Sequence, residues 1–418
     1  MGLMLTPPEL THRRFLGQMT TGMTELGTAG THRRPNHATW RLAALLALLF
    51  LQPPWSRAAE PNRIDLFEAR QGGYHTYRIP GIVSMKSGAL FTWVEARRTG
   101  TGDWEDIDIL SRISRDGGVT WEPARQLVDA GTKPAHNGVA IVDASDGSLH
   151  FVYCVNYSQA FHMRSDDGGR TFSQPKEITE TFRRFEGQFL WNVIATGPGH
   201  GLQLRAGRFI IPIWLSNGGK RHRPSAVGVI YSDDHGATWQ AGDLVPNTLI
   251  NMSETGAVER EDGSVLLNIR SEDRERRRAV SVSKDGARKW SRPKFDPALV
   301  EPVCFGALTR LSWTEPGRAG QILFSNPDSQ SHSGKHGASY DGNMDRVNLT
   351  IRMSRDDGVT WPVRRALEPG VAGYSDLAPG PDGSFYCLYE RDGVGGSMWD
   401  TRFISFVRLD TAWLEAGK

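Results

Sequence analysis

The chain has 418 residues, of which 23% are charged and 39% are apolar, and its formal net charge at pH 7 is +2. These values are typical of a soluble globular protein, and so small a net charge does not indicate binding to nucleic acid or to an anionic membrane. The 46 glycines and 23 prolines indicate many turns, as in an all-β protein. Cys154, Cys304 and Cys387 have neither metal-ligand nor disulfide-framework spacing, which leaves open whether two of them pair.

Residues 1–59 form an N-terminal extension with the features of a secretory signal peptide. Three arginines between residues 33 and 41 precede an apolar run at 42–51, and the sequence Ser-Arg-Ala follows at 56–58. A charged flank, an apolar core and a small-residue cleavage site are the three parts of such a signal. The run is shorter than the ~20 residues of a membrane-spanning helix. We therefore expect a secreted or periplasmic protein with no membrane span in the mature chain; the alternative is an uncleaved anchor.

From residue 60 to residue 418 the sequence repeats one pattern, S-x-D-x-G-x-T-W, which we call the box. The second copy ends in Phe172, and the fourth has Ala287 and Lys289 in place of Gly and Thr. Neighbouring copies start about 50 to 70 residues apart, which fits a four-stranded propeller blade and exceeds the helical repeats. The five copies occupy residues 114–121, 165–172, 232–239, 283–290 and 354–361.

The residue types of the box predict a tight turn between two strands. Asp and Ser side chains can accept hydrogen bonds from backbone N–H groups close by. Gly at the fifth position tolerates a positive φ, and Thr-Trp begins a new strand with a large ring to bury. We therefore interpret the box aspartates as structural and not catalytic, and we expect the boxes on the outer strands of the blades.

The spacing of the boxes predicts one domain, a six-bladed β-propeller of four-stranded antiparallel sheets, over residues 60–418. Strand-like apolar runs, such as 209–214 and 265–269, continue to the end of the chain without a linker. Six blades would take about 60 residues each, which matches the repeat. Because there are five boxes, the sixth blade either lacks one or is completed from the two ends of the chain.

Charged and aromatic residues between the boxes carry the functional information. Arginines, carboxylates and a tyrosine stand in short segments that the turn pattern does not require. In chain order the segments are Tyr77-Arg78-Ile79-Pro80, Glu95-Ala96-Arg97, Gly102-Asp103-Trp104, Glu254-Thr255-Gly256, Asn268-Ile269-Arg270, Arg346-Val347-Asn348 and Tyr374-Ser375-Asp376.

These segments, with Gly-Pro-Gly-His-Gly at 197–201 and the boxes, resemble the motifs of the sialidases (exo-α-sialidases or neuraminidases) of bacterial and animal type. The motifs stand in the family's order from about Tyr74 to the C-terminus. The resemblance implies a retaining glycoside hydrolase that removes terminal α-linked sialic acids from glycoproteins, glycolipids and oligosaccharides. It implies no cofactor. The box turns offer too few oxygen ligands for calcium, so we expect catalysis without a metal.

The resemblance assigns the binding of the substrate carboxylate to Arg78, Arg270 and Arg346. Three guanidinium groups around one carboxylate can form planar, bidentate, charge-assisted hydrogen bonds. Arg97 matches a further family arginine that contacts substituents of the sugar ring.

The resemblance also assigns Tyr374 as the nucleophile and Glu254 as its base. A neutral phenol avoids the repulsion that a carboxylate nucleophile would meet beside the substrate carboxylate, and sialidases are the tyrosine exception among glycosidases. The unperturbed pKa of tyrosine is near 10, so the hydroxyl needs a base, for which Glu259 is the competitor. Asp103 is the expected general acid and then base, with Asp106 as its competitor.

Three further interpretations remain open at the level of sequence. Trp104 and Trp191 are candidates for an apolar N-acyl pocket, although a core role suits either equally. A related propeller enzyme could transfer the sugar, as a trans-sialidase or an intramolecular trans-sialidase, or could hydrolyse another nonulosonic acid. A propeller that binds glycans without catalysis is the third interpretation.

Overall fold

The computed structural model describes residues 61–418 except residues 220, 338–343 and 418. The predicted signal peptide lies outside the described residues. The described part of the chain holds no helix that meets the length and hydrophobicity of a membrane span.

The described residues form 24 β-strands, two short α-helices and one 3₁₀ turn. The strands are β1 Arg63–Glu68, β2 Thr76–Ser84, β3 Leu90–Arg97, β4 Ile107–Ser114, β5 Arg125–Val128, β6 Ala135–Val142, β7 Leu149–Val155, β8 Gln159–Ser165, β9 Lys176–Glu177, β10 Val193–Thr196, β11 Leu202–Gln203, β12 Phe209–Ser216, β13 Ser225–Ser232, β14 Gln240–Leu244, β15 Thr255–Glu259, β16 Val265–Ile269, β17 Arg277–Ser283, β18 Lys294–Val300, β19 Ala307–Ser312, β20 Gln321–Pro327, β21 Val347–Ser354, β22 Val363–Pro379, β23 Ser384–Gly393 and β24 Thr401–Asp410. The helices are α1 Thr179–Arg183 and α2 Thr411–Glu415, and the 3₁₀ turn is Val394–Gly396.

The strands join into five antiparallel sheets in chain order. Three sheets have four strands each: β2-β3-β4-β5, β6-β7-β8-β9 and β15-β16-β17-β18. A fourth sheet has the order β10-β12-β13-β14, and β11 pairs with the other end of β12. The fifth sheet has seven strands in the order β1-β24-β23-β22-β21-β20-β19.

The seven-stranded sheet contains two four-stranded units that share the 17-residue strand β22. The first part of β22 pairs with β21 and its last part pairs with β23. β1 adds to β24 with Arg63 opposite Val407, so both ends of the described chain complete the last unit. The number of blades stays a prediction, since a count of six depends on dividing this sheet within β22.

The first strands of the units pack side by side in a closed ring. β2 packs against β6, β6 against β10 and β11, β11 against β15, β15 against β19, β19 against β22, and β22 against β2. The beginnings of several of these strands line one mouth of the central channel, and their ends line the other mouth. Because all of them run in the same direction, residues far apart in sequence meet at one mouth. This is the arrangement of a β-propeller.

The apolar core lies between neighbouring sheets. Trp93 of β3, which is 1% exposed, meets Phe151 of β7 edge-on at 5.6 Å. Its indole N–H donates to the carbonyl of Gly138 at 2.9 Å. Gly81 of β2 permits this packing, because a Cβ there would lie 2.0 Å from the Trp93 ring. Replacing so buried an aromatic residue by Ala typically costs about 3–5 kcal/mol.

Each box begins at the last residue of the third strand of its unit. In the first box, Asp116 accepts hydrogen bonds from the backbone N–H of Val119 (3.1 Å) and Thr120 (2.9 Å) and from the Thr120 hydroxyl (2.6 Å). Ser114 Oγ accepts from the N–H of Gly118 at 2.8 Å. The aspartate therefore closes the turn, as the pattern predicts.

All three cysteines are buried free thiols. Cys304 and Cys387 belong to the core around β22. Cys154 belongs to the core between the β6–β9 sheet and the sheet that contains β12. The possibility of a disulfide, which the sequence left open, is not realised in this fold.

A buried ion pair fixes the loop between β18 and β19. Arg278, which is fully buried, donates to Glu301 Oε2 at 2.6 Å and to Asn268 Oδ1 at 2.7 Å. The other oxygen of Glu301 accepts from the backbone N–H of Val303 (2.7 Å) and Cys304 (3.0 Å). The pair therefore holds the loop in which Val303 has a φ of +64°, a conformation that strains a β-branched residue.

Replacing Arg278 by Met is expected to lower the free energy of unfolding by roughly 3–5 kcal/mol, because Glu301 would stay buried without its partner. Urea denaturation measures the change. The matched control is Arg364→Met, since Arg364 is 65% exposed and lies 3.9 Å from Asp328, where an ion pair contributes less than about 1 kcal/mol. Equal effects of the two substitutions would contradict the structural role of the buried pair.

Candidate active site

A cleft of about 240 Å³ opens at the mouth formed by the beginnings of the first strands. Its walls are strongly polar and come from several units of the propeller. All seven residues to which the sequence analysis gave a catalytic or carboxylate- and sugar-binding role line this cleft: Arg78, Arg97, Asp103, Glu254, Arg270, Arg346 and Tyr374.

A tyrosine, a glutamate and an arginine form the floor of the cleft. The β15–β16 hairpin sets Glu254 beside Arg270, whose N–H donates to the carbonyl of Glu254 at 3.1 Å. Tyr374, from the inner part of β22, places its hydroxyl 2.5 and 2.7 Å from the two carboxylate oxygens of Glu254. Arg270 Nη1 donates to the Tyr374 oxygen at 2.8 Å and also contacts Glu254. The phenol proton therefore faces a carboxylate, while a guanidinium group contacts the phenol oxygen.

The surroundings of Tyr374 keep its hydroxyl protonated. Burial raises the pKa of Tyr374 well above its usual value of 10, and the negative charge of Glu254 raises it further. The positive charges of Arg270 and Arg346 act in the opposite direction but do not cancel these effects. A phenol in this position can act as a nucleophile only when its proton is removed.

Arg78 is held by a buried carboxylate that the sequence analysis missed. Glu390 of β23 accepts from Arg78 Nε at 3.1 Å and from Nη2 at 3.3 Å. It also accepts from the backbone N–H groups of Ile79 and Tyr374, both at 3.0 Å. Glu390 thus ties β2 to β22 and sets Arg78 5.3 Å from the centre of the Tyr374 ring. No local pattern marks Glu390, which is followed directly by Arg391 and Asp392 at the end of β23.

Arg346 has no carboxylate partner among the described residues. Its Nη2 donates to the carbonyl of Val303 at 2.7 Å, whereas its buried Nε and Nη1 make no hydrogen bond within the described part of the chain. The guanidinium group lies between the Tyr374 ring (5.3 Å) and the Trp399 ring (4.5 Å). Unsatisfied buried donors are costly, and these two are suited to an anionic ligand.

Arg97 holds the carboxyl group of Asp103 at the rim of the cleft. Its Nη2 lies 2.9 Å from Glu95 Oε2, and its Nη1 lies 2.9 Å from Asp103 Oδ1. The Asp103 side chain is 35% exposed, whereas that of Arg97 is almost fully buried. Burial disfavours the ionised form of Asp103, but the positive charges of Arg97, His222 and Arg78 outweigh it and lower the pKa of Asp103 to about 2. The carboxyl group is therefore ionised at neutral pH.

The competing carboxylates lie elsewhere. Asp106 does not line the cleft and pairs with Arg98 at 3.4 Å. Glu259 lines the opposite mouth of the channel and accepts from the backbone N–H of Arg205 at 2.8 Å.

The two tryptophans proposed for an apolar pocket do not line the cleft. Trp104 packs behind the wall against Tyr157, with 4.6 Å between the ring centres. Trp191 packs against the core between the β6–β9 sheet and the sheet that contains β12. Its indole N–H donates to the carbonyl of Phe182 at 3.0 Å.

Four aromatic residues that the sequence analysis did not select also line the cleft. Tyr157 has a φ of +54° and stacks on His136 with 3.6 Å between ring centres. Trp214 lies in β12, and the other three lie in loops. Single aromatic residues carry no sequence pattern that marks a site, so they become visible only when these segments meet. The four are Tyr157, Trp214, His222 and Trp399.

No set of three or more His, Cys, Asp or Glu side chains in the described ranges is arranged to hold a metal ion. Catalysis without a metal or cofactor stays an expectation from the sequence.

Comparison with known proteins identifies the family. A family model described as a BNR repeat-like domain matches residues 87–387. The chain is 33% identical over 380 residues to a sialidase of Micromonospora viridifaciens, in a match that covers 84% of this chain and 54% of that protein. The chain belongs to the sialidase family. It spans about half the length of this curated relative.

Solved structures confirm the fold of this sialidase-family chain. It is similar to the Hadza microbial sialidase Hz136, with a TM-score of 0.68 and 27% identity over 84% of this chain and 69% of that chain. It is also similar to the leech intramolecular trans-sialidase, with a TM-score of 0.67 over 86% of this chain and 72% of that chain. The identity there is 16%, so this second match shows the fold alone. The predicted all-β propeller of small antiparallel sheets is confirmed.

The pKa of Tyr374 is expected to fall in a Glu254→Gln variant, because the negative charge that disfavours the phenolate is removed while Arg270 and Arg346 remain. Alkaline titration of the tyrosinate absorbance measures this pKa. Subtracting the titration of the double variant Glu254→Gln/Tyr374→Phe isolates Tyr374 from the other tyrosines. The reference pKa comes from the titration of the wild-type protein after subtraction of the titration of Tyr374→Phe. An identical or higher pKa of Tyr374 in Glu254→Gln would contradict the electrostatic coupling.

Proposed function

We propose that this protein is a retaining exo-α-sialidase that removes terminal α-linked sialic acids from glycans. One observation carries the proposal: the Tyr374 hydroxyl donates to Glu254 inside a cleft that Arg78, Arg270 and Arg346 also line. The named sialidase relatives support the same substrate class. We further propose that the protein is exported, because residues 42–51 have the pattern of a signal peptide and sialylated glycans stand outside the cell.

The substrate carboxylate is proposed to bind Arg346, Arg78 and Arg270. Arg346 offers two unpartnered guanidinium nitrogens, whereas Arg78 and Arg270 are already held by Glu390 and Glu254. Arginines that neighbouring groups hold in place need little reorganisation when the ligand arrives. Bidentate binding of the carboxylate would orient the anomeric carbon above the Tyr374 hydroxyl.

In the first step, the Tyr374 oxygen attacks the anomeric carbon as its proton passes to Glu254. The bond from the anomeric carbon to the glycosidic oxygen breaks, and Asp103 gives that oxygen a proton. In the second step, water attacks the same carbon and its proton passes to Asp103. The bond from that carbon to the Tyr374 oxygen breaks, and this oxygen takes back the proton that Glu254 holds. Two displacements at one carbon retain its configuration.

Asp103 needs a proton to begin this sequence, although it is ionised without substrate. A bound sialoside favours protonation in two ways: its carboxylate partly neutralises the arginines, and its body excludes water from the half-exposed carboxyl group. The acid form of Asp103 is thus a property of the substrate complex.

Tyr374→Phe is expected to abolish most turnover of any sialoside, because the attacking oxygen is removed while the ring that packs beside Arg78 and Arg346 remains. Proton NMR of the first sugar released by the wild-type enzyme is expected to show the α-anomer. A fully active Phe variant or a β-anomer as first product would contradict the double displacement. An anhydro sugar, or a sialoside of an added acceptor, would instead identify a transferase.

Asp103→Ala is expected to reduce turnover of a natural sialoside far more than turnover of a nitrophenyl sialoside, because a good leaving group needs little protonation. General acid catalysis typically contributes 10²–10⁴-fold, and steady-state kinetics on both substrates measures its share. Asp106→Ala is the matched control, since Asp106 lies close in sequence but outside the cleft. An equal loss on both substrates in Asp103→Ala would argue against the acid role.

A further inference from the structure

His222 lies in the wall of the cleft beside Asp103 and has no role in the mechanism above. It belongs to the loop between β12 and β13. Its Nε2 is 3.8 Å from Asp103 Oδ2, which is slightly too long for a hydrogen bond. This nitrogen is buried and has no hydrogen-bond partner among the described residues. A buried unpartnered nitrogen this close to a carboxylate can close the gap when a ligand fills the cleft, because catalytic hydrogen bonds often tighten in the substrate complex.

The orientation of the His222 ring is set by aromatic packing. It stacks on Trp104 with 4.5 Å between ring centres and an angle of 22°. The Trp214 ring meets it edge-on at 5.3 Å and 84°, and Tyr157 lies at 5.6 Å. These contacts explain why Trp104, which does not line the cleft, is nevertheless close to the site: it supports the ring that faces Asp103.

The groups around His222 have opposite effects on the pKa of its imidazole. Burial lowers the pKa of the imidazole, the carboxylates of Asp103 and Glu254 raise it, and the positive charges of Arg270 and Arg223 lower it. The net direction is downward from 6.5. His222 therefore gains its proton at a lower pH than an ordinary imidazole does.

Taking the proposed sialidase function as given, we propose that Asp103 and His222 share one proton, and that this pair is the acid of the first step and the base of the second. Nε2 gives its proton to Asp103 Oδ2, and the carboxyl group passes a proton to the glycosidic oxygen, which leaves a carboxylate and a neutral imidazole. In the second step, Asp103 takes a proton from the attacking water and returns it to Nε2. The pair ends with the proton that it had at the start.

The need for such a partner follows from Arg97. A carboxylate 2.9 Å from a buried guanidinium group holds a proton weakly, because the nearby positive charge favours the ionised form. An imidazole at the other oxygen supplies a proton without disturbing the Arg97 contact, since Arg97 binds Oδ1 and His222 faces Oδ2.

The test uses two substitutions of His222 in the full-length chain. His222→Phe keeps a ring between Trp104 and Trp214 but removes both nitrogens. His222→Gln keeps an N–H donor near the position of Nε2 but cannot titrate. The control is His75→Gln, since His75 forms a similar pair with Asp400 at 3.6 Å and does not line the cleft. The pH dependence of kcat/KM is measured with sialyllactose and with a nitrophenyl sialoside.

Both His222 variants are expected to lose activity on sialyllactose as the alkaline limit of the profile moves to lower pH, about tenfold for each pH unit of the shift. The nitrophenyl sialoside and the His75 control are expected to change little. Unchanged profiles in both variants would overturn the proposal. Wild-type behaviour in His222→Gln alone would also overturn it, because a fixed hydrogen bond would then suffice. Equal losses on the two substrates would indicate packing only and would overturn it as well.

A direct measurement keeps the proposal testable if a substitution disturbs folding. The pKa of the His222 imidazole, followed by NMR in ¹⁵N-histidine-labelled protein and assigned with His222→Gln, is expected to fall in Asp103→Asn because a carboxylate that favours the imidazolium is lost. An unchanged pKa of the His222 imidazole in Asp103→Asn would overturn the pairing. Failure of the underlying function is separately visible, since the wild-type protein would then release no sialic acid from sialyllactose whatever residue stands at position 222.

Discussion

The carboxylate of Glu390 links the first and last units of the propeller and also positions residues of the cleft. It lies on β23 and accepts from Arg78 and from the backbone N–H groups of Ile79 and Tyr374. These donors come from β2 and β22, the first strands of the first and last units. The contact that brings these units together therefore also sets Arg78 against the Tyr374 ring. A buried carboxylate with four such donors tolerates little displacement, because each lost hydrogen bond leaves a charge uncompensated.

The arginines of the cleft differ in how far carboxylates of the protein neutralise their charge. Arg78 and Arg97 are buried against carboxylates and serve partly as structural charges. Arg270 contacts both partners of the tyrosine–glutamate pair. Arg346 is surrounded by aromatic rings and a carbonyl group, so its attraction for an anion is the least satisfied by the protein. An anionic ligand would complete the charge balance of a site that is otherwise held rigid.

Turn chemistry and site chemistry are separated by the geometry of the sheets. The box aspartates close turns after the third strand of each unit, where they satisfy local N–H groups. The cleft residues stand near the beginnings of first strands, where the channel opens. Some of the strained backbone lies at or next to the cleft: Ile79, Asn137, Tyr157 and Val303 all have φ between +51° and +64°. Such strain is characteristic of sites whose geometry is imposed by the surrounding fold.

Local residue chemistry and family motifs were enough to predict the propeller class, the turn role of Asp116 and its equivalents, and seven of the residues that line the cleft. They failed for Trp104 and Trp191, which do not line it. A box turn is decided by hydrogen bonds within eight residues, so its sequence specifies it directly. The motifs carried the separation of Glu254 from Glu259 and of Asp103 from Asp106 as preferences only. The fold separates each pair: β15 places Glu254 at the cleft and Glu259 at the opposite mouth of the channel, and Asp103 lines the cleft whereas Asp106 does not.

The tertiary structure alone decided the partners of these residues and hence their charge states. Glu390 and His222 carry no local signal, because each matters through a contact with a residue more than 100 positions away in the chain. The sharing of β22 by two units, which makes one sheet of seven strands, is likewise invisible in a repeat pattern. The low pKa of Asp103 follows from the positive charges of Arg97, His222 and Arg78, which outweigh the effect of burial. The high pKa of Tyr374 follows from burial and from the carboxylate of Glu254. Electrostatic environments of this kind arise only when distant strands pack together, since the unfolded chain exposes every one of these groups to water.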